Sequence, residues 1–170
     1  CDHLDEHLSL GFTFSYPTVQ RAIDHGELIR WTKGFDNPNT EGRDCADMLR
    51  TSLKRFNVPV KLSSIINDTT GTLIASNYVD PRTKIACIFG TGCNAAYMES
   101  IGNIPKLSNL DLPADEQMVI NCEYGAFDSF EHRYLGSLRS KYDVEIDLSS
   151  NKPNQQAFEK MIAGKYLGEI

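Results

Sequence analysis

Long apolar runs, basic clusters and paired cysteines are all missing from this sequence of 170 residues. No stretch approaches the ~18 consecutive apolar residues that a membrane-spanning helix needs, so we expect no membrane span. Asp and Glu outnumber Lys and Arg by 23 to 17, which gives a net charge of −6. Nucleic-acid binding depends on clustered Lys and Arg, so this composition argues against a nucleic-acid partner.

The five cysteines are odd in number and none is spaced as Cys-x-x-Cys. This pattern predicts free thiols in a reducing compartment, and therefore a cytoplasmic protein. The four histidines do not fall at metal-ligand spacing with the cysteines, so we predict no protein metal site. His3 and His7 lie four residues apart, and we interpret them as part of an exposed helix face.

Strand-like and helix-like patterns alternate along the chain, which is typical of an α/β fold with some antiparallel pairing. Apolar and alternating runs predict strands at 8–14, 18–23, 28–35, 58–66, 84–89, 93–99 and 118–123. Helical spacing predicts helices at 44–56, 69–78 and 153–169, the first capped by Asp44 and the second entered through Thr69. The chain starts at Cys1 without an initiator Met and stops inside the last of these helices, so we expect an internal fragment of a longer protein.

Polar clusters follow several of the predicted strands, at 32–34, 67–72, 90–94 and 121–123. Each has a plain structural explanation: Asp68 can belong to a capped turn, 90–92 can be a glycine hairpin turn, and Lys33 can be a surface lysine. Gln156 and Glu159, three apart on a predicted helix, can likewise form an exposed polar face.

Taken together, the clusters suit a hydroxyl-rich substrate, because a polyol needs several donors and acceptors at fixed angles. Open α/β sheets bind ligands at strand ends, which is where most of these residues are placed. The set also leaves one carboxylate, that of Asp68, to act as a base toward a single hydroxyl.

Six blocks of the sequence, in order, resemble the eukaryotic hexokinase family in its fungal form: LGFTFSYP, RWTKGF, INDTTGTLIAS, GTGCNAAYME, INCEYGAFD and QQAFEKMIAGKYLGEI. The resemblance covers essentially the whole chain. It implies an actin-like, ribonuclease-H-like ATPase fold with two lobes and a sugar cleft. Residues 1–68 would then form part of the small lobe and residues 69–170 part of the large lobe.

The resemblance also implies an activity, namely the phosphorylation of glucose, fructose, mannose or a similar hexose on its 6-hydroxyl by ATP, the first step of glycolysis. Mg²⁺ would arrive as MgATP, without a metal site on the protein, and the oligomeric state stays open. Asp68 is implied as the catalytic base, with Lys33 as a second catalytic residue that neutralises developing charge. The implied hexose-binding positions are Ser15, Thr32, Lys33, Asn67, Asp68, Asn94, Glu123, Gln156 and Glu159. The positions implied near the phosphates of ATP are Thr69, Gly90, Thr91 and Gly92.

The sequence departs from the family pattern at Asn154, where Pro-Gly-Gln-Gln would be expected and Pro-Asn-Gln-Gln is present. Asn tolerates positive φ better than other residues with a side chain, so we expect the turn to be kept. The first phosphate-binding turn and the adenosine-binding segment of the family would lie outside 1–170, so we expect this chain alone to be inactive. Two alternatives stay open: a catalytically silent hexose-sensing or regulatory paralogue, and another sugar kinase of the same superfamily. The retained Asp68 and Lys33 favour the active hexokinase over the first, and Glu123 paired with Glu159 argues against the second.

Overall fold

The computed structural model describes residues 8–169. The chain divides into two compact units, residues 1–68 and 69–170. The assignment of these units to parts of two lobes stays a prediction. The proposed helix face of His3 and His7 lies outside the described residues.

The first unit is built on two neighbouring parallel strands, β1 (Leu8–Thr13) and β4 (Val60–Ile66). An antiparallel hairpin of β2 (Thr18–Ala22) and β3 (His25–Leu28) lies between them in the chain, followed by helix α1 (Cys45–Arg55).

The predicted cap of α1 is confirmed, because the Asp44 carboxylate accepts a hydrogen bond from the Ala46 amide at 3.0 Å. The buried core of the first unit consists of Ala46 from α1 and of Leu62 and Ile65 from β4.

The strand predicted over 28–35 is wrong, because β3 is already complete at Leu28. Lys33 and Gly34 have φ values of 58° and 80°, so the chain turns through the left-handed region where no strand can continue. The hairpin turn itself is confirmed, one residue earlier than the predicted Asp24–Gly26 segment.

The second unit is centred on a three-stranded antiparallel sheet in the order β5 (Ile85–Phe89), β6 (Cys93–Ser100) and β7 (Gln117–Asn121). Helix α2 (Asp68–Val79) contributes the fully buried Leu73 to a core with Ala86 and Ala96 of this sheet. The Thr69 cap is wrong: the helix begins one residue earlier, at Asp68, whose negative charge suits the positive end of the helix dipole.

Helix α3 (Lys141–Ser149) begins with a capping box between Ser140 and Asp143. The single closing helix predicted over 153–169 is wrong, because the segment forms two short helices, α4 (Ala157–Ile162) and α5 (Gly164–Leu167). Ala163 between them is extended, and the Gly164 amide bonds to the Gly90 carbonyl at 2.8 Å instead of continuing the helix. A tertiary hydrogen bond therefore overrides the helical periodicity.

The turn before α4 has the backbone shape expected from the sequence. Asn154 has a φ of 65°, which confirms that Asn takes the position where the family pattern has Gly.

Cys45, Cys87, Cys93 and Cys122 are free thiols. Within the described part of the chain, no helix combines the length and the apolar character needed to cross a membrane.

Candidate functional site

In the first unit, Lys33 is held against Ser15. Its ammonium group donates to the Ser15 carbonyl at 2.7 Å and lies 5.0 Å from the centre of the Tyr16 ring. Thr32 is buried beside it and accepts a bond from the Phe35 amide through its carbonyl. Lys33 is half-buried with its charge bound, so it is not a freely solvated surface lysine.

Aromatic packing fixes this region. The rings of Phe14, Tyr16, Trp31 and Phe35 contact one another, the closest pair being Tyr16 and Trp31 at 4.7 Å between centroids. Burial raises the pKa of the Tyr16 hydroxyl above its ordinary value. The 31–35 segment therefore carries its polar residues on a rigid aromatic base.

Asn67 and Asp68 follow β4 directly, and Ser15 is the second residue after β1. The two strands are parallel, with the Phe14 amide bonded to the Ile66 carbonyl at 2.8 Å, so both run out at the same edge of the sheet. Strand ends of this kind are the usual ligand-binding edge of an α/β fold. The first unit therefore gathers Ser15, Asn67 and Asp68 at one edge.

In the second unit, Asn94 and Glu123 form a closed hydrogen-bonded group. The Asn94 amide nitrogen donates to a Glu123 carboxylate oxygen at 2.9 Å, and the Asn94 carbonyl oxygen accepts from the Glu123 backbone amide at 2.9 Å. Glu123 has a φ of 50°, which ends β7 at Asn121 and brings the carboxylate back beside β6. The predicted strand end at Glu123 is therefore two residues too late.

A third residue, Asn121, completes this group and was missed as a site residue. Its side-chain oxygen accepts from Asn94 at 2.7 Å, and its nitrogen donates to Glu123 at 2.9 Å. The signal that could have revealed it is its place in the 121–123 polar cluster, which follows an apolar strand pattern.

Glu159 is buried against the start of β6. Its carboxylate accepts a hydrogen bond from the Cys93 amide at 3.1 Å, and only 3% of the residue is exposed. Gln156 is also buried, directly before α4 with a φ of 52°. The interpretation of Gln156 and Glu159 as an exposed polar helix face is therefore wrong, because both residues are buried. Gln156 also precedes α4, so it does not share a helix face with Glu159.

Gly125 makes the approach of this segment possible, and sequence reasoning missed it. A β-carbon at Gly125 would lie 3.0 Å from the Glu159 β-carbon and 3.2 Å from the Gln156 side-chain nitrogen. Any side chain at this position would push both residues away.

Two neutral groups lie next to these carboxylates. Burial raises the pKa of the Cys93 thiol to about 11, and the negative charges of Glu159 and Glu123 act in the same direction. Burial likewise raises the pKa of the Tyr124 hydroxyl to about 12. The Cys93 thiol and the Tyr124 hydroxyl therefore both stay protonated at neutral pH.

The Gly90–Gly92 segment is the hairpin turn between β5 and β6, with the Gly90 amide bonded to the Gly92 carbonyl at 2.9 Å. The carbonyls of Gly90 and Thr91 accept bonds from the Gly164 and Lys165 amides, which anchors the turn to α5.

Thr69, by contrast, is fully buried in the first turn of α2. In residues 8–169, no group of three or more His, Cys, Asp or Glu side chains is placed to hold a metal ion.

Two family models, both described as hexokinase, match residues 1–78 and 84–170 of this chain. The chain belongs to the hexokinase family. A hexokinase from Emericella nidulans is 59% identical over 99% of the chain, and hexokinase-1 from Saccharomyces cerevisiae is 52% identical over 96%. The chain spans about a third of the length of these relatives, 34% in both cases.

Among solved structures, the hexokinase from Schistosoma mansoni complexed with glucose superposes with a TM-score of 0.87 at 40% identity. The comparison covers 97% of this chain and 36% of that one. The actin-like ATPase fold of hexokinases, inferred from the six sequence blocks, is therefore confirmed, and the chain is a mixed α/β part of it.

Proposed function

We propose that the whole protein, at the length of its hexokinase relatives, transfers a phosphoryl group from ATP to the 6-hydroxyl of a hexose. The observation that carries this proposal is the hydrogen-bonded group of Asn94, Asn121 and Glu123, whose side chains orient one another. Preorganised polar groups of this kind favour a substrate rich in hydroxyls and reject analogues that lack one. Glucose is the first candidate, because a structural relative is a glucose complex; fructose and mannose are further candidates.

Each unit has a separate role in this proposal. In the second unit Asn94, Glu123, Gln156 and Glu159 bind and orient the hexose hydroxyls. In the first unit Ser15, Thr32, Lys33 and Asn67 also hold the sugar. Asp68, half-buried at a strand end, accepts the proton of the 6-hydroxyl as that oxygen attacks.

The nucleotide would be held in part by residues of this chain. MgATP, when bound, supplies the transferable phosphoryl group and a cation that neutralises its charge. Gly90 and Gly92 keep side chains away from the tight turn where Thr91 is exposed, which suits the close approach of a phosphate. Thr69, in the first turn of α2, is the second phosphate-side residue in the proposal.

The free thiols also support a reducing compartment, and we place the protein in the cytoplasm.

A coupled assay of glucose-dependent ADP release by the whole protein tests this function. We expect Asp68→Asn to lower kcat by about 10²- to 10⁴-fold, the usual contribution of a general base, with glucose binding retained. Asp80→Asn, at an exposed aspartate paired with Arg82, is the matched control and should leave kcat unchanged.

Three results would contradict parts of the proposal. Full activity in Asp68→Asn would refute the base assignment. Glucose binding without ADP release by the unmodified protein would favour the hexose-sensing alternative. Turnover by residues 1–170 alone would contradict the expected inactivity of this chain.

A further inference from the structure

A buried ionic cluster lies behind the proposed hexose-binding residues of the second unit. Asp147 is 1% exposed and Lys160 is 4% exposed, and the Lys160 ammonium donates to an Asp147 carboxylate oxygen at 2.6 Å. Arg139 donates to the other oxygen at 2.8 Å. Burial alone would raise the pKa of Asp147, but the bonds from Lys160 and the other donors outweigh it and lower that pKa below its ordinary value.

Helix stability does not explain this carboxylate. Asp147 lies in the last turn of α3, where a negative charge opposes the helix dipole. Taking a charge out of water costs free energy that an ion pair only partly returns, so a buried pair is weak evidence for stability alone.

The cluster binds instead to the segment that leads into α4. Lys160 uses its remaining ammonium protons on the Ser150 hydroxyl and the Lys152 carbonyl, both at 2.8 Å. Asp147 accepts from the Asn154 backbone amide at 3.0 Å. Residues 150–154 are therefore held at three points by two buried side chains.

This segment needs such support. Gln156 has a φ of 52°, and Gln, unlike Asn, keeps a left-handed conformation only where its surroundings determine it. Gln156 is one of the proposed hexose-binding residues, and Lys160 directly follows another, Glu159. The Lys160 amide also donates to the Gln156 carbonyl at 3.0 Å.

We infer that Asp147 and Lys160 are positioning residues for hexose binding, because their paired charges fix the 150–156 segment and with it Gln156 and Glu159. This inference rests on the proposed function. Neither residue needs to contact the sugar, so the effect should appear in the affinity for hexose and leave the affinity for ATP unchanged.

The experiment compares Lys160→Met and the double variant Asp147→Asn/Lys160→Met in the whole protein. Lys160→Met leaves Asp147 bonded to Arg139 at 2.8 Å, so the single variant removes the three bonds of the Lys160 ammonium without leaving an unpaired carboxylate. The double variant keeps the net charge of the cluster but takes away the carboxylate that pairs with Arg139, so a buried positive charge is left uncompensated and stability falls as well. Arg82→Met, which breaks the exposed ion pair with Asp80, is the matched control.

We expect Lys160→Met, which keeps the ion pair of Asp147 with Arg139, to unfold within a few degrees of the unmodified protein and to show at least about a tenfold rise in glucose KM. Its KM for ATP should stay within about twofold, and the glucose Kd measured by calorimetry should rise in parallel with the glucose KM. Arg82→Met should leave all of these values unchanged. Faster hydrogen exchange at the amides of residues 152–156 would accompany the weaker binding.

Two results overturn the inference on its own, provided that the unmodified protein binds and phosphorylates glucose. The first is an unchanged glucose KM in Lys160→Met. The second is a glucose KM in the double variant equal to that of the unmodified protein, which would show that the pair acts only through the net charge of the cluster. An unmodified protein that does not bind glucose overturns the proposed function and this inference with it.

Discussion

Asn121 offers a direct test of the second unit, because its amide links two proposed hexose-binding residues. It accepts a hydrogen bond from Asn94 at 2.7 Å and donates one to Glu123 at 2.9 Å. Asn121→Ala removes both bonds and leaves the backbone of β7 in place. Asn94 and Glu123 then keep the bond between their own side chains but lose the third member that fixes their angles.

The expected effect follows from the two bonds. A neutral hydrogen bond contributes about 0.5–1.5 kcal/mol and one to a charged group about 1.5–3 kcal/mol, and the lower values apply at this exposed residue. The sum of about 2 kcal/mol corresponds to roughly a 30-fold rise in glucose Kd if all of it is expressed in binding. kcat should change less than Kd, because Asn121 orients groups that hold the sugar and does not take part in proton transfer.

Calorimetric titration of the whole protein with glucose measures this rise, and the control is Asn103→Ala. Asn103 donates to a Glu99 carboxylate oxygen at 2.9 Å, so this variant loses the same kind of exposed Asn–Glu bond away from the site. A glucose Kd within about twofold of the unmodified value in Asn121→Ala would refute the reasoning. So would an equal rise in Asn103→Ala.

Two further predictions concern Lys33 and Cys93. Lys33→Met removes the ammonium bonded to the Ser15 carbonyl. Steady-state kinetics of the whole protein should then show kcat falling about a hundredfold, with a smaller change in glucose KM. A change in glucose KM alone would exclude the catalytic role of Lys33. A pKa of about 11 makes the Cys93 thiolate roughly a hundredfold scarcer at pH 8 than at the ordinary value of 9.0. Iodoacetamide labelling of this chain, followed by peptide mass spectrometry, should therefore modify the exposed Cys87 long before Cys93, and equal rates would contradict the burial of Cys93.

The parts of the fold that sequence reasoning anticipated are those with local causes. The α1 helix follows from the Asp44 cap and apolar spacing, and the positive φ of Asn154 follows from the intrinsic tolerance of Asn. The break at Ala163 has no local cause, because Gly164 bonds to a carbonyl more than 70 positions earlier in the chain, that of Gly90. A pattern read over one helix cannot contain that information.

The candidate site shows the same division. Asn94, Glu123 and Glu159 were anticipated from family blocks, whereas their mutual bonds and the burial of Glu159 required the strands to pair. Asn121 could have been anticipated as a member of the 121–123 polar cluster, but Asp147 could not. Its function depends on Lys160 and on the segment between them, none of which forms a recognisable motif.

The bonds that hold the Gly90–Gly92 turn restrict how this part of the protein can vary. Gly90 accepts from Gly164, whose α-carbon has no room for a side chain: an added β-carbon would lie 2.8 Å from the Gly90 oxygen. On the other side of the turn, the Cys93 amide binds Glu159, which is on the helix that ends just before Gly164. Turn and helix thus form one closed ring of bonds.

Insertions and deletions in this turn would therefore have to be matched at the α4–α5 junction. A substitution that shifts the turn would likewise be transmitted to Glu159 and Gly164, so a second change at the junction would be needed to restore the ring.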